Sequence, residues 1–497
     1  MDPVLRQPLP TNGSLGLPDE VLTTVFQNVL PANYIGSTGW GEADIKFYYQ
    51  RLSVLRKVCV VWMEVIDSSP NLWALIDSTA LNVEECLIKS KSVPLTIRLH
   101  RKQLGDDKEL VNWKRILGEM SRWDIVKFNG YMGGDREGYA SGLEASPAPI
   151  LRGLTLTNYS DGAPIIIDLF RSTAPRLRQL SLRQISLKHW DSPFLYNLRE
   201  LSLDKVTGPT IEQLLAILEA SSYLTKLSIY SVHVDDDTSA SKPIRTVNLP
   251  SLDWLTISYL SPVTTNDRLL RTIQAPSCRD FSSWVTGAPT PQGMTLYAGF
   301  MNISFRSFLT TAEDVWAKVF TESSDQVYIQ ATERNHDTFD IDLRGFSPHS
   351  FWSTFVPLLF PETSPVQIKL DFHRGGSDVL LETSAWTLCG VCKIILGWDG
   401  ERVIEQLTFA KMIDGESRWL WPRLRDLVVS SVSGEKLLRM LEARAGAAVT
   451  KLRSDDQRYT PVPIGRLILR PSCKVSSKTL EDIGKFVGVV ETHSWHT

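Results

Sequence analysis

The sequence predicts an α/β fold: a short N-terminal helical module, then an irregular array of parallel strands with outer helices. Three observations lead to this prediction. Apolar residues recur at three- and four-residue steps between residues 17 and 76. A Leu-x-x-Leu-x-Leu pattern, with isoleucine allowed at its end, recurs from residue 151 onward. Helical segments separate copies of the pattern, as expected when each strand is followed by a helix and then a parallel strand.

The composition limits the functions to be considered. With 497 residues, of which 43% are hydrophobic, the chain can form more than one core. A net charge of −3 argues against a general binder of nucleic acid or of membrane surfaces. No apolar run approaches the ~20 residues that a membrane-spanning helix needs. The 6 cysteines are too sparse for a disulfide scaffold, so we expect a reducing compartment, cytoplasmic or nuclear or both.

The N-terminal helical segment begins after a polar leader. Residues 1–16 lack the charged-then-apolar layout of a signal peptide and are predicted to be a disordered tail. Pro18 suits the first position of a helix, and Asp19 and Glu20 favour the positive end of the helix dipole. Pro31 ends the helix. The predicted helix carries one continuous apolar stripe, formed by Val21, Leu22, Val25, Phe26, Val29 and Leu30.

A second helical segment is predicted to run to residue 68, where Ser-Ser-Pro breaks it, and Trp73 lies in the apolar cluster that follows. Its stripe is formed by Tyr48, Leu52, Leu55, Cys59, Trp62 and Ile66. About sixty residues in short helices make only a marginal core. The leftover apolar side chains would cover either the open end of the following domain or a partner surface, and the spacing leaves both alternatives open.

The order LPDEVL, then VCVVW, then SSPNLW resembles an F-box, the adaptor-binding module of cullin–RING ubiquitin ligases. The resemblance covers residues 17–76 of a module that we place at residues 17–80. Residues 31–50 form a spacer between the two halves that is longer than in many F-boxes, and similar spacers occur in large fungal F-box-like families. The resemblance implies that a Skp-type adaptor is bound through Leu17, Pro18, Leu22, Val25, Phe26, Val58, Trp62 and Trp73.

The resemblance implies a function without bond chemistry. The chain would be the substrate-recognition subunit of a Skp–cullin–F-box ligase, with the adaptor and the cullin scaffold as partners and a client protein bound by the repeats. It would contribute proximity, because tethering converts a bimolecular encounter into an intramolecular one. The alternative is a non-catalytic repeat scaffold whose N-terminal helices cap the repeats, with no role in a ligase.

Residues 81–150 are predicted to form a connector, and they resemble the segment that follows the F-box in those fungal proteins. We expect a helix ending near Lys89, a strand at residues 95–99, a helix at residues 111–120 with Trp113 and Leu117 inward, and a strand at residues 125–128. A polar, glycine-rich loop at residues 130–142 completes the connector.

The repeat pattern defines a domain at residues 151–497. Its regular copies begin at Leu151, Leu177, Leu198, Leu224 and Leu252. Their spacing lies close to the ~20–29-residue period of leucine-rich repeats, and each Leu-x-Leu segment predicts a strand. Residues 211–220 predict the clearest helix between strands, and residues 167–171 a shorter one. Such units bury their apolar faces only by stacking, so a solenoid is expected.

The pattern weakens at residues 280–420. Strands are predicted there at residues 327–329, 341–343, 368–370 and 394–396, with a helix at residues 351–360. The regular form returns at Leu424, and a helix at residues 435–444 and a last strand at residues 467–469 follow.

Signatures of catalysis and metal binding are sparse, so we expect neither an enzyme nor a cofactor. Cys389 and Cys392 have the spacing of half a zinc site, but no second pair lies near. His493 and His496 lie on a terminal segment, and residues 235–237 form an acidic run expected to be a solvated loop. Some of the 15 tryptophans are candidates for a recognition surface within the irregular region, namely Trp284, Trp316, Trp386 and Trp398.

Overall fold

The fold is mixed α/β and is built on parallel β-sheet. The computed structural model describes residues 17–30, 42–77, 83–101, 107–132, 140–160, 162–235, 245–261, 264–284, 314–320, 326–332, 338–344, 367–374, 391–396, 400–413, 416–450 and 460–492. The chain divides into two compact units, residues 1–209 and residues 210–497, and each is described by itself. The predicted tail at residues 1–16 and most of the spacer lie outside the described residues.

The first unit begins with helices and continues with parallel strands. Its helices are α1 (Asp19–Val29), α2 (Glu42–Arg56), α3 (Val60–Ser68), α4 (Val83–Lys89), α5 (Asp107–Leu117) and α6 (Ala140–Glu144). Its strands are β1 (Leu75–Asp77), β2 (Leu95–Arg101), β3 (Trp123–Gly130), β4 (Gly153–Asn158), β5 (Ile165–Ile167), β6 (Gln179–Arg183), β7 (Ile185–Leu187) and β8 (Glu200–Asp204). The strand β9 (Thr207–Thr210) lies where the two units divide.

The main sheet of the first unit has the order β1-β2-β3-β4-β6-β8, and all of these neighbours are parallel. The predicted leucine pattern sets its register, since one buried row crosses all six strands: Ile76, Ile97, Val126, Leu154, Leu180 and Leu201. β3, in the predicted connector, pairs directly with β4, in the first predicted repeat. The connector strands and the first repeats share one core.

Aromatic side chains fill the space between α5 and the apolar face of this sheet. Trp113 on α5 is fully buried, with its ring centroid 5.9 Å from those of Trp123 and Phe128. The indole Nε1 of Trp123 donates to the Ile116 carbonyl at 3.1 Å, so the ring is fixed as well as buried. The inward position predicted for Trp113 is therefore confirmed, whereas Leu117 is only half-buried.

The helix predicted at residues 167–171 is not formed. Ile165–Ile167 is the strand β5, which pairs in parallel with β7, and Phe170–Ser172 is a short 3-10 turn. Three consecutive β-branched isoleucines favour extended backbone, and this preference outweighs the helical spacing. Left-handed residues turn the chain at the ends of two strands, with φ of 53° at Gln184 after β6 and 51° at Lys205 after β8.

The second unit repeats this plan with an interruption. Its helices are α7 (Ile211–Glu219), α8 (Thr264–Thr272), α9 (Gly400–Leu407), α10 (Gly434–Thr450) and α11 (Ser477–Ile483). Its strands are β10 (Lys226–Tyr230), β11 (His233–Asp235), β12 (Val247–Asn248), β13 (Trp254–Ser258), β14 (Ile273–Gln274), β15 (Asp280–Trp284), β16 (Asp314–Phe320), β17 (Gln326–Thr332), β18 (Thr338–Arg344), β19 (Gln367–Arg374), β20 (Val391–Leu396), β21 (Ala410–Ile413), β22 (Glu416–Trp419), β23 (Asp426–Val429), β24 (Arg466–Leu469) and β25 (Val489–Thr492).

An antiparallel insert explains why the repeat pattern weakens. β10, β13, β15 and β18 are parallel neighbours, and β16, β19, β20, β23, β24 and β25 form a second parallel series. β17 lies between β16 and β18 and is antiparallel to both. Antiparallel neighbours need no crossover helix, so the strand-to-strand spacing shortens there. The four predicted strands of this region are confirmed, and the helix predicted at residues 351–360 lies outside the described residues.

Two predicted helices of the second unit are confirmed, and further elements follow the strand that was predicted to be the last. α7 has a full capping box, in which Thr210 Oγ1 accepts from the Gln213 N–H at 3.2 Å and Gln213 Oε1 accepts from the Thr210 N–H at 2.9 Å. α10 covers the helix predicted at residues 435–444. The strand predicted as the last one, at residues 467–469, is followed by α11 and β25.

A buried guanidinium joins α10 to the turn before β23. Arg444 has no exposed surface, and its Nη1 and Nη2 donate to the carbonyls of Leu420 and Trp421 at 3.0 and 2.9 Å. Burial lowers the pKa of Arg444 to about 9, so the side chain remains charged at neutral pH. Its charge is therefore matched by carbonyl dipoles.

Candidate docking surface

The first helix of the module is capped by its own N-terminal turn. The Pro18 carbonyl accepts from the Val21 and Leu22 N–H groups at 3.0 Å each, and Asp19 and Glu20 occupy the first turn. The helix ends where the Leu30 N–H donates to the Phe26 carbonyl at 2.9 Å. The predicted helix is confirmed, and its orientation decides which apolar residues remain outside.

The apolar stripe of α1 is divided into two lines. Leu22, Phe26 and Leu30 are buried, with at most 2% of each side chain exposed. The second line, at four-residue steps, remains in solvent, with exposed fractions of 42% at Val21, 42% at Val25 and 46% at Val29. Leu17, just before the helix, is 40% exposed and extends this line. One line therefore packs the core and the other faces outward.

The second predicted stripe is divided between two helices, since α2 ends at Arg56 and α3 begins at Val60. Cys59 is extended, with φ of −159°, and its Sγ accepts from the Trp62 N–H at 3.5 Å as the N-cap of α3. The β-branched residues Val58 and Val60 favour such a break. The break leaves apolar surface outside, since Val58 is 56% and Val60 63% exposed.

We call the exposed apolar residues of α1 and α3, and of the positions just before these helices, the apolar surface. It comprises Leu17, Val21, Val25 and Val29 at α1, and Val58, Val60 and Met63 at α3. The two helices are neighbours, since the rings of Phe26 and Trp62 meet edge to face with centroids 5.0 Å apart. Exposed apolar residues on neighbouring helices make this surface a candidate for binding a partner.

The core beneath the apolar surface is closed by hydrogen bonds to the first strand and the turn before it. Tyr48 donates from its hydroxyl to the Leu72 carbonyl at 2.9 Å, and the Tyr49 hydroxyl donates to the Leu75 carbonyl. The indole Nε1 of Trp73 donates to the Ile66 carbonyl at 2.9 Å. The module is therefore anchored on the edge of the sheet of the first unit.

Trp73 is enclosed by cations. The Lys89 ammonium lies 4.1 Å from its ring centroid, and the Arg56 guanidinium lies 5.4 Å away. Both cations also pair with Asp67, at 2.9 Å for Arg56 and 3.0 Å for Lys89. This arrangement holds the indole in place, and Trp73 is only 3% exposed.

The predicted adaptor-binding residues fall into two groups. Leu17, Pro18, Val25 and Val58 are exposed, and Trp62 is half-buried. Leu22, Phe26 and Trp73 are buried, so a partner docking on this conformation has no access to their side chains. These three act as core residues instead of direct contacts.

Four residues of the apolar surface were not in the predicted adaptor-binding set: Val21, Val29, Val60 and Met63. The four-residue spacing from Leu17 through Val21 and Val25 to Val29 was the available signal for the line on α1. Spacing could not tell which line faces inward, because both lines are apolar.

The other residues singled out in the sequence are described only in part. Cys392 is half-buried and Cys389 lies outside the described residues, as do Trp386, Trp398, both terminal histidines and most of the acidic run. Trp284 and Trp316 lie on β15 and β16. In the part of the chain that the structure describes, no group of three potential metal ligands comes together. The same residues contain no helix that is long and apolar enough to cross a membrane.

The sequence matches no protein-family model, and the search of curated proteins finds no significant match.

Cys59 provides a chemical probe at the apolar surface. It is exposed between Val58 and Val60, whereas burial raises the pKa of the Cys86 thiol and raises that of Cys278 to about 12. Because the thiolate is the reactive species, we expect iodoacetamide to label Cys59 of the native chain well before Cys86 or Cys278. Peptide mass spectrometry checks the order, with urea-denatured protein as the control in which all thiols react. Equal native rates at Cys59 and Cys86 would contradict the burial described above.

Proposed function

We propose that the chain is the substrate-recognition subunit of a Skp–cullin–F-box ubiquitin ligase. On this proposal α1, α2 and α3 form an F-box-like module whose apolar surface binds a Skp-type adaptor. Residues 151–497 form a leucine-rich-repeat-like solenoid that holds a client protein. The observation that carries the proposal is the second apolar line of α1, which stays in solvent although the core of the module is complete without it.

The energetics favour a partner on this surface. Covering a half-exposed valine releases on the order of 1 kcal/mol, at about 25 cal/mol for each Å² of apolar area removed from water. Several such residues on neighbouring helices supply the apolar centre of an interface, and polar residues such as Asn28 and Glu64 supply its rim. Leu22, Phe26 and Trp73 then act indirectly, because they hold the two helices in position.

A repeat scaffold without a ligase role is the second candidate, and a specific observation favours it. The hydrogen bonds from Tyr48 and Tyr49 to Leu72 and Leu75 join the helices to the edge of the sheet, as expected of a cap. A cap needs only the buried line of α1, however, and leaves the exposed line without a role. The two candidates therefore differ in what Val21 and Val25 do.

The test is co-purification of the full chain with a Skp-type adaptor. We expect a stoichiometric complex with the unaltered chain and a loss of affinity of at least about tenfold for Val25→Asp, because a carboxylate would be buried against an apolar partner. Val449→Asp is the matched control, since Val449 is 70% exposed on α10 of the second unit. It should bind the adaptor as the unaltered chain does.

Thermal unfolding of each variant separates binding from folding. Val25 is exposed, so Val25→Asp should keep its melting temperature close to that of the unaltered chain. If the folded, unaltered chain fails to bind the adaptor, the ligase proposal is rejected and the scaffold without a ligase role remains. If Val25→Asp binds as well as Val449→Asp, the apolar surface is not the docking site.

A further inference from the structure

The sheet of the first unit has a polar face opposite its leucine rows. Side chains alternate along a strand, so Ile97 and Leu99 point into the core and Arg98 between them points to the other face. In the same way Lys127 lies between the buried residues Val126 and Phe128. The register places Arg98 and Lys127 directly beside each other on β2 and β3.

Arg98 is a charged side chain with an unused hydrogen-bond donor. It is only 8% exposed, and its Nη1 is buried without a hydrogen-bond partner. An unpaired buried donor of this kind costs free energy, and more so when it is charged. Its neighbour on β1 is Asp77, which supplies one negative charge against the two cations.

Lys127 adds a second positive charge to the same position. It is half-buried, and its pKa is lowered by burial and by the neighbouring Arg98 guanidinium, while Glu200 opposes this shift. Neighbouring strands lie ~4.8 Å apart, so the like charges of Arg98 and Lys127 repel each other, and an anion between them would relieve this repulsion. On the next strand the register places Thr155 beside Lys127, followed by Ser181 and Ser202, so a row of hydroxyl groups continues from the cations.

Two other arginines of the first unit pair with carboxylates. Arg183 pairs with Asp204 at 3.2 Å on the polar face, and Arg152 pairs with Asp124. The Glu200 carboxylate is occupied in part by the side-chain amide of Gln179, which donates to it at 2.8 Å. Arg98 therefore stands out by its burial, its unused donor and the like charge beside it.

We propose that Arg98, Lys127 and Thr155 form an oxyanion-binding site on the polar face of the first unit, which takes a carboxylate or a phosphate group of a bound protein. The guanidinium offers a planar pair of donors, the ammonium a point charge and the threonine hydroxyl a further donor, which together suit the oxygens of such a group. That the protein carrying this anion is a client of the ligase rests on the proposed function, whereas anion binding itself does not.

The experiment titrates the full chain with inorganic phosphate or with acetate at constant ionic strength and follows its thermal unfolding. We expect a saturable rise in melting temperature, because a ligand that binds only the folded state stabilises it. Arg98→Met and Lys127→Met should each weaken the apparent affinity by about tenfold or more. Arg183→Met is the matched control, since it removes an ion-paired cation from the same face, and it should stay within about twofold of the unaltered chain.

The variants separate specific binding from the general stabilisation that phosphate gives to any protein, because that general effect is the same for all of them. Tighter binding of phosphate than of acetate means that the site suits a phosphorylated side chain, and binding of acetate at least as tight means that it suits a carboxylate. The site is rejected if neither anion gives a saturable rise, or if Arg183→Met loses as much affinity as Arg98→Met and Lys127→Met. The titration contains no adaptor, so it can succeed or fail independently of the ligase proposal.

Discussion

Phe26→Ala is expected to lower the free energy of unfolding of the helical module by about 3–5 kcal/mol. The Phe26 side chain is fully buried, and its ring meets the Trp62 ring edge to face with centroids 5.0 Å apart. Truncation removes this contact, loses the burial of a large apolar side chain and leaves a cavity between α1 and α3. Hydrogen exchange of the α1 amides, followed by mass spectrometry, measures the loss locally within the full chain.

Val25→Ala is the matched control for this change, because Val25 is the preceding residue and is 42% exposed. It should alter the protection of the same amides by no more than about 0.5 kcal/mol. The pair also separates folding from docking, since Val25→Ala should weaken adaptor binding without loosening the helix. Equal protection in Phe26→Ala and Val25→Ala would show that α1 is not packed through Phe26.

Arg444→Ala is expected to destabilise the turn before β23 by about 3–5 kcal/mol. The variant loses the two hydrogen bonds to the carbonyls of Leu420 and Trp421, leaves both carbonyls buried without that donor and opens a cavity the size of an arginine side chain. The loss should appear as faster hydrogen exchange in β23 and in the C-terminal half of α10.

Arg439→Ala tests whether the effect comes from the buried site or from helix composition. Arg439 is exposed on the same helix, and alanine has a slightly higher helix propensity, so stability should change by less than about 0.5 kcal/mol. If Arg444→Ala is as mild as Arg439→Ala, the buried guanidinium does not hold the turn.

The parts of the fold that follow from local chemistry were predictable from the sequence. The Leu-x-Leu segments could be predicted as strands because apolar residues at every second position, which give a strand one apolar face, can be read from neighbouring residues. The register from Leu154 to Leu180 to Leu201 follows from the same pattern, since a slip by one residue would expose every leucine. The helix after Thr210 was predictable for a similar reason, because its apolar positions lie within two turns.

The parts that depend on tertiary context were not predictable. The sequence gives no sign that β17 runs antiparallel between β16 and β18, because direction is decided by pairing across distant segments. The break at Cys59 replaces a stripe whose spacing fits one continuous helix. On α1 the valine line and the Leu22–Phe26 line are equally apolar, and only the position of α3 decides which of them stays outside. The adaptor-binding set stays a prediction, and three of its residues, Leu22, Phe26 and Trp73, lie in the core.

Because β1 pairs with β2, the helical module cannot be exchanged for another module without disturbing the sheet. The Tyr48 hydroxyl donates to the Leu72 carbonyl before β1, and the Tyr49 hydroxyl donates to the Leu75 carbonyl at its start. These hydrogen bonds join the helices to the edge strand. A fragment that starts at residue 81 would lose β1 and present the unpaired backbone of β2 as an open edge, which favours aggregation. Chimeras that graft these repeats onto another module should therefore carry β1 with the repeats, and a graft of the module alone should keep the first strand as its base.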